Sequence, residues 1–336
     1  MKNILVTGGA GFIGSNFINY ILEKNPDYNI VNIDKLTYAG NLENLIPSQD
    51  KKNYKFIHGD ITNSDLINYL FEKYELEYVI NFAAESHVDR SILSSKEFVT
   101  TNVSGTNTLL DVARKFNVKK FIQISTDEVY GSLGKEGFFT EDTPLSPNSP
   151  YSSSKASADM LAIANYHTYG LPVVITRCSN NYGPYQFPEK LIPLMIINAL
   201  HDKELPVYGD GKNVRDWIYV TDHCRAIELV FEKGENGGVY NIGTSTEMEN
   251  IEIVKLILDY LKKSESLIEY VQDRLGHDRR YAIDSSKIKT TLGWSPKNSF
   301  EDAIIKTIDW YINNKDWWNR IISGEYMEYY QKLYNN

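Results

Sequence analysis

The sequence predicts an α/β protein built on a doubly wound parallel sheet, with a smaller mixed α/β domain after it. Three observations carry that reading. Apolar β-type runs recur at 3–7, 29–33, 55–58, 78–83, 120–125 and 172–176, and longer amphipathic segments separate several of them, notably 12–24, 64–73, 97–116 and 153–169. Strand and helix alternating in this way build a parallel sheet covered by helices. The first run passes into a glycine turn that opens a helix, and the second run ends on an acid, Asp34. Together these describe a Rossmann-type nucleotide-binding unit.

Gly8, Gly11 and Gly14 lie in Lys2-Asn3-Ile4-Leu5-Val6-Thr7-Gly8-Gly9-Ala10-Gly11-Phe12-Ile13-Gly14. A glycine turn lets the backbone approach a pyrophosphate, and the helix N-terminus behind it offers unpaired N–H groups. Asp34 follows 20 residues after Gly14 and closes Asn29-Ile30-Val31-Asn32-Ile33-Asp34. Its carboxylate suits the two ribose hydroxyls and would repel a 2′-phosphate, so the expected cofactor is NAD and not NADP. The spacing is G-x-x-G-x-x-G, not the usual G-x-G-x-x-G, so the triplet takes its meaning from the strand, helix and acid around it.

In such sheets ligands bind at the carboxyl ends of the strands. Those ends are Asp34, Asp60, Ala83 to His87, Ser125 to Glu128 and Arg177 to Tyr182. The second half is less regular. It reads as a helix near 188–201, a β-ribbon from Pro206 to Val220 that turns at Asp210-Gly211, and a helix at 222–233. A short strand at 238–242 precedes helices near 249–263 and 300–313. The expected division is an NAD-binding domain over 1–187, with a returning segment about 216–246, and a mainly substrate-binding domain over 188–336. The stretch Gly134 to Ser149 is rich in Gly, Pro and Ser, and is expected to lie over the site as a lid. The chain end, rich in Trp and Tyr, is expected to dock on the body.

A chain of 336 residues has room for a large core. No stretch approaches ~18 consecutive apolar residues, so no membrane span is expected. The first strand begins at residue 3 or 4, which leaves no room for a signal peptide and points to the cytoplasm. Cys178 and Cys224 form neither a disulfide framework nor a metal-ligand pattern, and read as buried thiols in a reducing compartment. The six histidines show no metal spacing, so no metal is expected. Net charge is −9 and no basic stripe interleaves with aromatics, which argues against nucleic acid as a partner. An anionic substrate would need a few lysines and arginines to supply a local positive field. The 24 tyrosines read as packing and surface residues.

Tyr151 and Lys155 are four apart on a predicted helix and so face the same way. An ammonium beside a phenol favours the phenolate. With a positive nicotinamide ring it can draw a tyrosine from about 10 towards neutrality. Such a tyrosine takes a proton from a sugar hydroxyl while hydride leaves for NAD⁺. Ser125-Thr126-Asp127-Glu128-Val129-Tyr130-Gly131 follows the run 120–125. Hydride transfer needs no acid pair there. An elimination needs both a base beside a carbonyl and an acid for the departing hydroxyl. From the residues alone, Asp127 and Glu128 fit either that pair or a solvated, helix-capping loop.

The motifs bring a resemblance. The chain resembles the extended short-chain dehydrogenase/reductases, and within them the dTDP-glucose 4,6-dehydratases, over nearly its whole length. The markers are Thr7 to Gly14, Asp34-Lys35-Leu36-Thr37-Tyr38-Ala39-Gly40-Asn41, Ala83-Ala84-Glu85-Ser86-His87-Val88-Asp89-Arg90-Ser91, Ser125 to Gly131, Tyr151 to Lys155, Cys178-Ser179-Asn180-Asn181-Tyr182-Gly183-Pro184 and Pro188-Glu189-Lys190-Leu191-Ile192-Pro193. The resemblance implies three steps with one NAD⁺: oxidation at C4 with Tyr151 as base, elimination across C5–C6 by Glu128 as base and Asp127 as acid, and hydride return to C6. Thr126 would orient the sugar near O4, and Lys155 would also bond the nicotinamide ribose. It further implies cofactor contacts at Phe12, Ile13, Asp34, Lys35, Thr37, Asp60, Ile61, Ala83, Ala84, Ser86 and Thr101. Substrate contacts are implied at Ser86, His87, Asn180, Lys190, Leu191, Pro206, Val207, Tyr208, Arg215, Asn250, Arg274 and His277. Arg215 and Arg274 suit a diphosphate, since guanidinium forks match phosphate oxygens. His87 is expected to order the site and not to titrate. One departure is Leu275, where relatives usually carry proline, which would stiffen that loop. The implied partners are dTDP-glucose and a second copy of the chain, paired through 97–116 and 153–169.

Two rival readings remain. A sugar-nucleotide 4-epimerase of the same fold would perform the oxidation without elimination, and such relatives usually carry small residues where this chain has Asp127 and Glu128. A non-catalytic NAD(H)-binding regulator would have no need to keep Tyr151, Lys155 and both acids.

Overall fold

Residues 1–324 are described in a computed structural model. The first half runs β1 (Lys2–Thr7), α1 (Phe12–Lys24), β2 (Tyr28–Asp34), β3 (Tyr54–His58), α2 (Ser64–Tyr74), β4 (Tyr78–Asn81), α3 (Val88–Leu93), α4 (Lys96–Phe98), α5 (Thr106–Lys115), β5 (Lys120–Thr126), α6 (Pro150–Tyr169) and β6 (Val173–Cys178). The second half runs β7 (Asn180–Tyr182), α7 (Leu191–Leu200), β8 (Leu205–Tyr208), β9 (Val214–Tyr219), α8 (Val220–Lys233), β10 (Val239–Ile242), β11 (Glu247–Glu249), α9 (Asn250–Leu261), β12 (Ile268–Val271), α10 (Ser286–Leu292), α11 (Phe300–Asn313) and α12 (Lys315–Ser323).

Seven parallel strands form one sheet in the order β10-β6-β5-β4-β1-β2-β3. The order reverses beside β1, between β4 and β2, which is where a crevice opens above the strand ends. Strands such as β1 and β6 are buried almost throughout because helices cover both faces. One face packs Phe17, Ile18 and Ile21 of α1 against Ile227 and Val230 of α8, with Trp294 beside them. The other packs Ile67, Leu109, Leu110 and Ala162 from α2, α5 and α6. A third cluster, around α7, α9, α11 and α12, holds Met195, Ile257, Tyr311, Trp317 and Trp318.

Several expectations are corrected. The β-ribbon from Pro206 to Val220 does not form, because β8 and β9 take different partners. β8 pairs in parallel with β12, Leu205 opposite Ile268. β9 pairs with β11 antiparallel and β7 parallel. The turn itself is present, with the Gly211 N–H donating to Tyr208 O at 3.0 Å, but it sends the chain to another sheet. The segment 97–116 is not one regular helix: α4 passes through π-helical turns at Val99–Gly105 into α5. The stretch Gly134 to Ser149, expected as a lid, contributes no lining residue to the cavity. Phe139 is buried against Tyr130 and bridges to Ile283, and the Asn148 side chain donates to Asp278 at 2.7 Å. Burying that aromatic outweighs keeping the loop free. Near the chain end, α12 docks through Trp317, whose indole N–H donates to Asn44 Oδ1 at 2.9 Å, and through a two-bond contact of Arg320 with Glu43. Trp318 is fully buried, so its truncation to Ala would cost ~3–5 kcal/mol. The rest of that expectation, 325–336, lies outside the described residues.

Candidate active site

The crevice beside β1 is shaped first by missing side chains. Gly8 has φ +68°, and a Cβ there would sit 2.6 Å from the Ala83 nitrogen. A Cβ on Gly14 would sit 2.5 Å from Gly8 O, so the helix could not approach the turn. The N-cap of α1 is Gly11, which has no side chain to satisfy the first N–H groups, and they remain for an anion. Asp34 is fixed at the end of β2 by the N–H groups of Ala10 (2.9 Å) and Leu36 (2.8 Å). Burial pushes its carboxyl up, while those two amides pull it back. Lys35 pairs with Asp60 across the β2 and β3 ends at 2.7 Å. Gly8, Gly11, Phe12, Ile13, Gly14, Asp34, Lys35, Thr37, Asp60, Ile61, Ala83, Ala84, Ser86 and Thr101 all line one continuous cavity. Thr101 arrives there on the π-helical turns, and the neighbouring Asn102 bonds both the N–H and the C=O of Glu85. The glycine cradle, helix terminus and anchored acid fit a dinucleotide.

The same cavity takes in Thr126, Asp127, Glu128, Tyr151 and Lys155. β5 ends at Thr126, whose hydroxyl accepts the Glu128 N–H at 3.3 Å and caps a single 3₁₀ turn, Asp127–Tyr130. That turn brings both acids to one side, which an extended segment could not do. Asp127 is 1 % exposed, and its Oδ2 has no hydrogen-bond partner among the described residues. Helix α6 starts from a Ser149–Ser152 capping box with Pro150 in its first turn, so Tyr151 and Lys155 have fixed positions. The Lys155 ammonium donates to Ile124 O at 2.6 Å, and the Thr126 hydroxyl acts to lower the Tyr151 phenol.

Burial pushes Asp127 well above the carboxylate range, and the neighbouring Glu128 pushes it further. Burial also raises Glu128, but Arg215, Lys190 and Arg274 pull it back. The two adjacent carboxyls thus differ: one is held towards its protonated form, the other is surrounded by cations. Tyr151 corrects an expectation. Burial, then Glu128 and Cys178, drive its phenol well above 10, and Lys155 is itself lowered by burial. The chain's own groups do not bring the phenol towards neutrality; a positive charge on a bound ring would have to.

Of the remaining predicted residues, two line the cavity and nine do not. Asn180 and Lys190 line the cavity, and Lys190 donates to Ser86 O at 3.1 Å. His87, Leu191, Pro206, Val207, Tyr208, Arg215, Asn250, Arg274 and His277 do not line it. His87 caps α3 and lies 3.4 Å from Glu189. Burial and Lys190 push it down to about 4, so it stays neutral. Leu191 and Val207 pack in the third core. Arg215 is buried, donates to Asp278 O at 2.9 Å and stacks over Tyr281. Arg274 pairs with Asp89, its Nη2 donating to Oδ2 at 3.1 Å and its Nε 2.5 Å from Oδ1, above the Tyr208 ring. The His277 imidazole bonds Asp273 at 2.6 Å. Asn250 starts α9, and its Oδ1 is buried with no partner among the described residues.

Tyr38, Glu85, Cys178, Gln186, Phe187 and Glu189 also line the cavity and were not singled out from sequence. Most sit inside or next to motif runs already quoted, just beyond strand ends, which was the available signal. Among the described residues no helix is long and apolar enough to cross a membrane, and no three His, Cys, Asp or Glu side chains group as a metal site would.

Comparisons with known proteins agree with this geometry. The family model described as GDP-mannose 4,6 dehydratase matches residues 5–307. The chain is 51 % identical to the dTDP-glucose 4,6-dehydratase of Xanthomonas campestris pv. campestris, covering 97 % of each. Among solved structures, it is 55 % identical to dTDP-glucose 4,6-dehydratase from Bacillus anthracis in complex with NAD, at a TM-score of 0.91, covering 96 % of this chain and all of that one. It is 48 % identical to the Streptomyces venezuelae enzyme of that name, solved with NAD and a second ligand, at a TM-score of 0.92, covering 95 % and 99 %.

Proposed function

We propose that this chain, which belongs to the GDP-mannose 4,6 dehydratase family, is an NAD-dependent hydro-lyase that converts dTDP-glucose to dTDP-4-keto-6-deoxyglucose and water. The observation that carries the reading is the position of Asp127 and Glu128, both facing the cavity that also holds Tyr151 and Lys155. An epimerase has no use for two carboxyls in that place, and a regulator has no use for the four together.

NAD bound along the glycine cradle supplies the hydride acceptor at C4 and the hydride donor at C6. Tyr151 takes the proton of the 4-hydroxyl, with the Thr126 hydroxyl favouring its phenolate and Lys155 one helical turn away. The 4-ketone acidifies the C5 hydrogen. Glu128, kept ionisable by Arg215, Lys190 and Arg274, removes that proton. Asp127, held towards its protonated form, gives its proton to the 6-hydroxyl, which leaves as water. Glu128 would return its proton to C5 as C6 is reduced, and the proton held by Tyr151 would balance the one that Asp127 gave to the leaving water.

Within this reading, Gly8, Gly11, Gly14, Asp34, Lys35, Asp60 and their cavity neighbours hold the cofactor. Arg215, Lys190, Asn180, Asn250, Arg274 and the 206–208 strand hold the nucleotide-sugar. The unit over 1–187 with its returning segment serves NAD, and 188–336 mainly the substrate. A second copy of the chain is the proposed partner: Leu93, Val99, Met160 and Tyr169 are large, exposed and close to α4–α6. The reaction is assigned to the cytoplasm on the strength of free, buried Cys178 and Cys224.

Incubation with dTDP-glucose tests the reading. The expected product is a base-labile 4-keto-6-deoxy sugar, with no NAD consumed and no NADH accumulating. Recovery of a 4-epimer alone returns the epimerase reading, and unchanged sugar returns the regulator.

A further inference from the structure

Helix α6 carries its inward row one turn past the catalytic pair. Tyr151, Lys155 and Asp159 are four apart and share a face. Asp159 is 0 % exposed. From β6, the buried Arg177 places its Nε 2.9 Å from Asp159 Oδ2. Arg177 also donates to the Tyr130 hydroxyl at 2.9 Å, and that hydroxyl donates to Asn241 Oδ1 at 2.8 Å. Arg177 thus pairs with a buried carboxyl that lies one helical turn from Lys155; burial raises that carboxyl, and Arg177, then Lys155, pull it back towards its ionised form. A guanidinium keeps its proton in any such setting, whereas a buried ammonium gives its proton up readily.

We propose that Asp159 is a positioning residue for the first oxidation: its carboxylate, fixed by Arg177, keeps Lys155 an ammonium and so sets the pH at which Tyr151 takes the sugar proton. The inference rests on the reading of Tyr151 as the base. The titratable groups that act on Lys155 are Asp159 on its own helix and Cys178 from β6, and Tyr151 lies one turn before it on the same face. Asp159 lies one turn beyond Lys155, and Tyr151 lies one turn before it. An anion in that position supports the ammonium without standing against the phenolate. Burial lowers Lys155, and Asp159 is the largest influence in the opposite direction.

The test is the pH profile of single-turnover reduction of bound NAD⁺ by dTDP-glucose in Asp159→Asn. Loss of the ammonium raises the phenol pKa, so the acidic limb moves to higher pH by about one unit, and the rate at neutral pH falls about tenfold. KM for dTDP-glucose stays within twofold. An acidic limb that stays where wild type has it, or a rate loss equal at every pH, overturns the inference. If thermal unfolding shows that Asp159→Asn is not folded, the double variant Asp159→Asn/Arg177→Met decides by the same limb, since it leaves no unpaired cation. Wild type runs in parallel. If wild type itself fails to reduce NAD⁺, the functional reading has failed and not the role of Asp159.

Discussion

The two sides of the cavity are held by different forces. On the cofactor side the geometry is set by backbone: the Gly8 conformation, the Gly14 approach, and two amides on Asp34. On the side proposed for the substrate, at the cavity and just beyond its lining, the cationic side chains already have partners. Arg274 pairs with Asp89, Lys190 bonds Ser86 O, and Arg215 is held by Asp278 O. Backbone contacts have no alternative state and keep a cofactor through turnover. Ion pairs can be exchanged, so under the proposed function an arriving diphosphate would replace Asp89 on Arg274 and depart again. This difference separates variants that lose chemistry from variants that lose affinity.

The largest effect is expected at the catalytic helix. Under the proposed function, Tyr151→Phe removes the base for the 4-hydroxyl and slows the first oxidation by at least roughly 10²–10⁴-fold. NAD content of the purified protein stays unchanged, because the glycine cradle and Asp34 are untouched. A variant with near-normal turnover would place the base elsewhere.

A smaller effect is expected from the exchangeable side. Arg274→Ala removes a charged fork, worth about 1.5–3 kcal/mol, so KM for dTDP-glucose rises about ten- to hundredfold. Steady-state kinetics check this, with kcat changing far less than KM. The opposite split would move Arg274 from binding to chemistry. The smallest effect is expected at its present partner. Asp89→Asn frees Arg274 from a partly exposed pair worth about 1 kcal/mol or less, so dTDP binds up to about fivefold tighter by calorimetry. Weaker binding would mean that Asp89 orients Arg274 and does not compete for it.

The cofactor side was also the legible side in the sequence. Strand, glycine turn, helix and acid are contiguous, and local spacing reports local geometry. Tyr151 and Lys155 were legible for the same reason, one turn apart on one helix. The substrate side depends on partners far along the chain. Asp210-Gly211 marked a turn correctly, yet β8 pairs with β12 some sixty positions later, and no local pattern announces that. Asp89 and Arg274 are 185 residues apart. The Gly-, Pro- and Ser-rich loop was misread because Phe139, its buried anchor, is a single residue in a polar stretch. The unequal upward shift of the two acids was not legible either, since it arises from burial of both and from three cations, contributed by distant segments, that pull Glu128 back.

The central claim is that Asp127 and Glu128 serve only the loss of water, while Tyr151 and Lys155 serve hydride transfer. Single-turnover absorbance of Asp127→Asn and Glu128→Gln, paired with mass analysis of the sugar, tests it most directly. The account predicts that dTDP-glucose still reduces bound NAD⁺ in both variants, that NADH and the 4-keto-glucose intermediate persist, and that 6-deoxy product falls by roughly 10²–10⁴-fold. Formation of 6-deoxy product at the wild-type rate in both variants would contradict it.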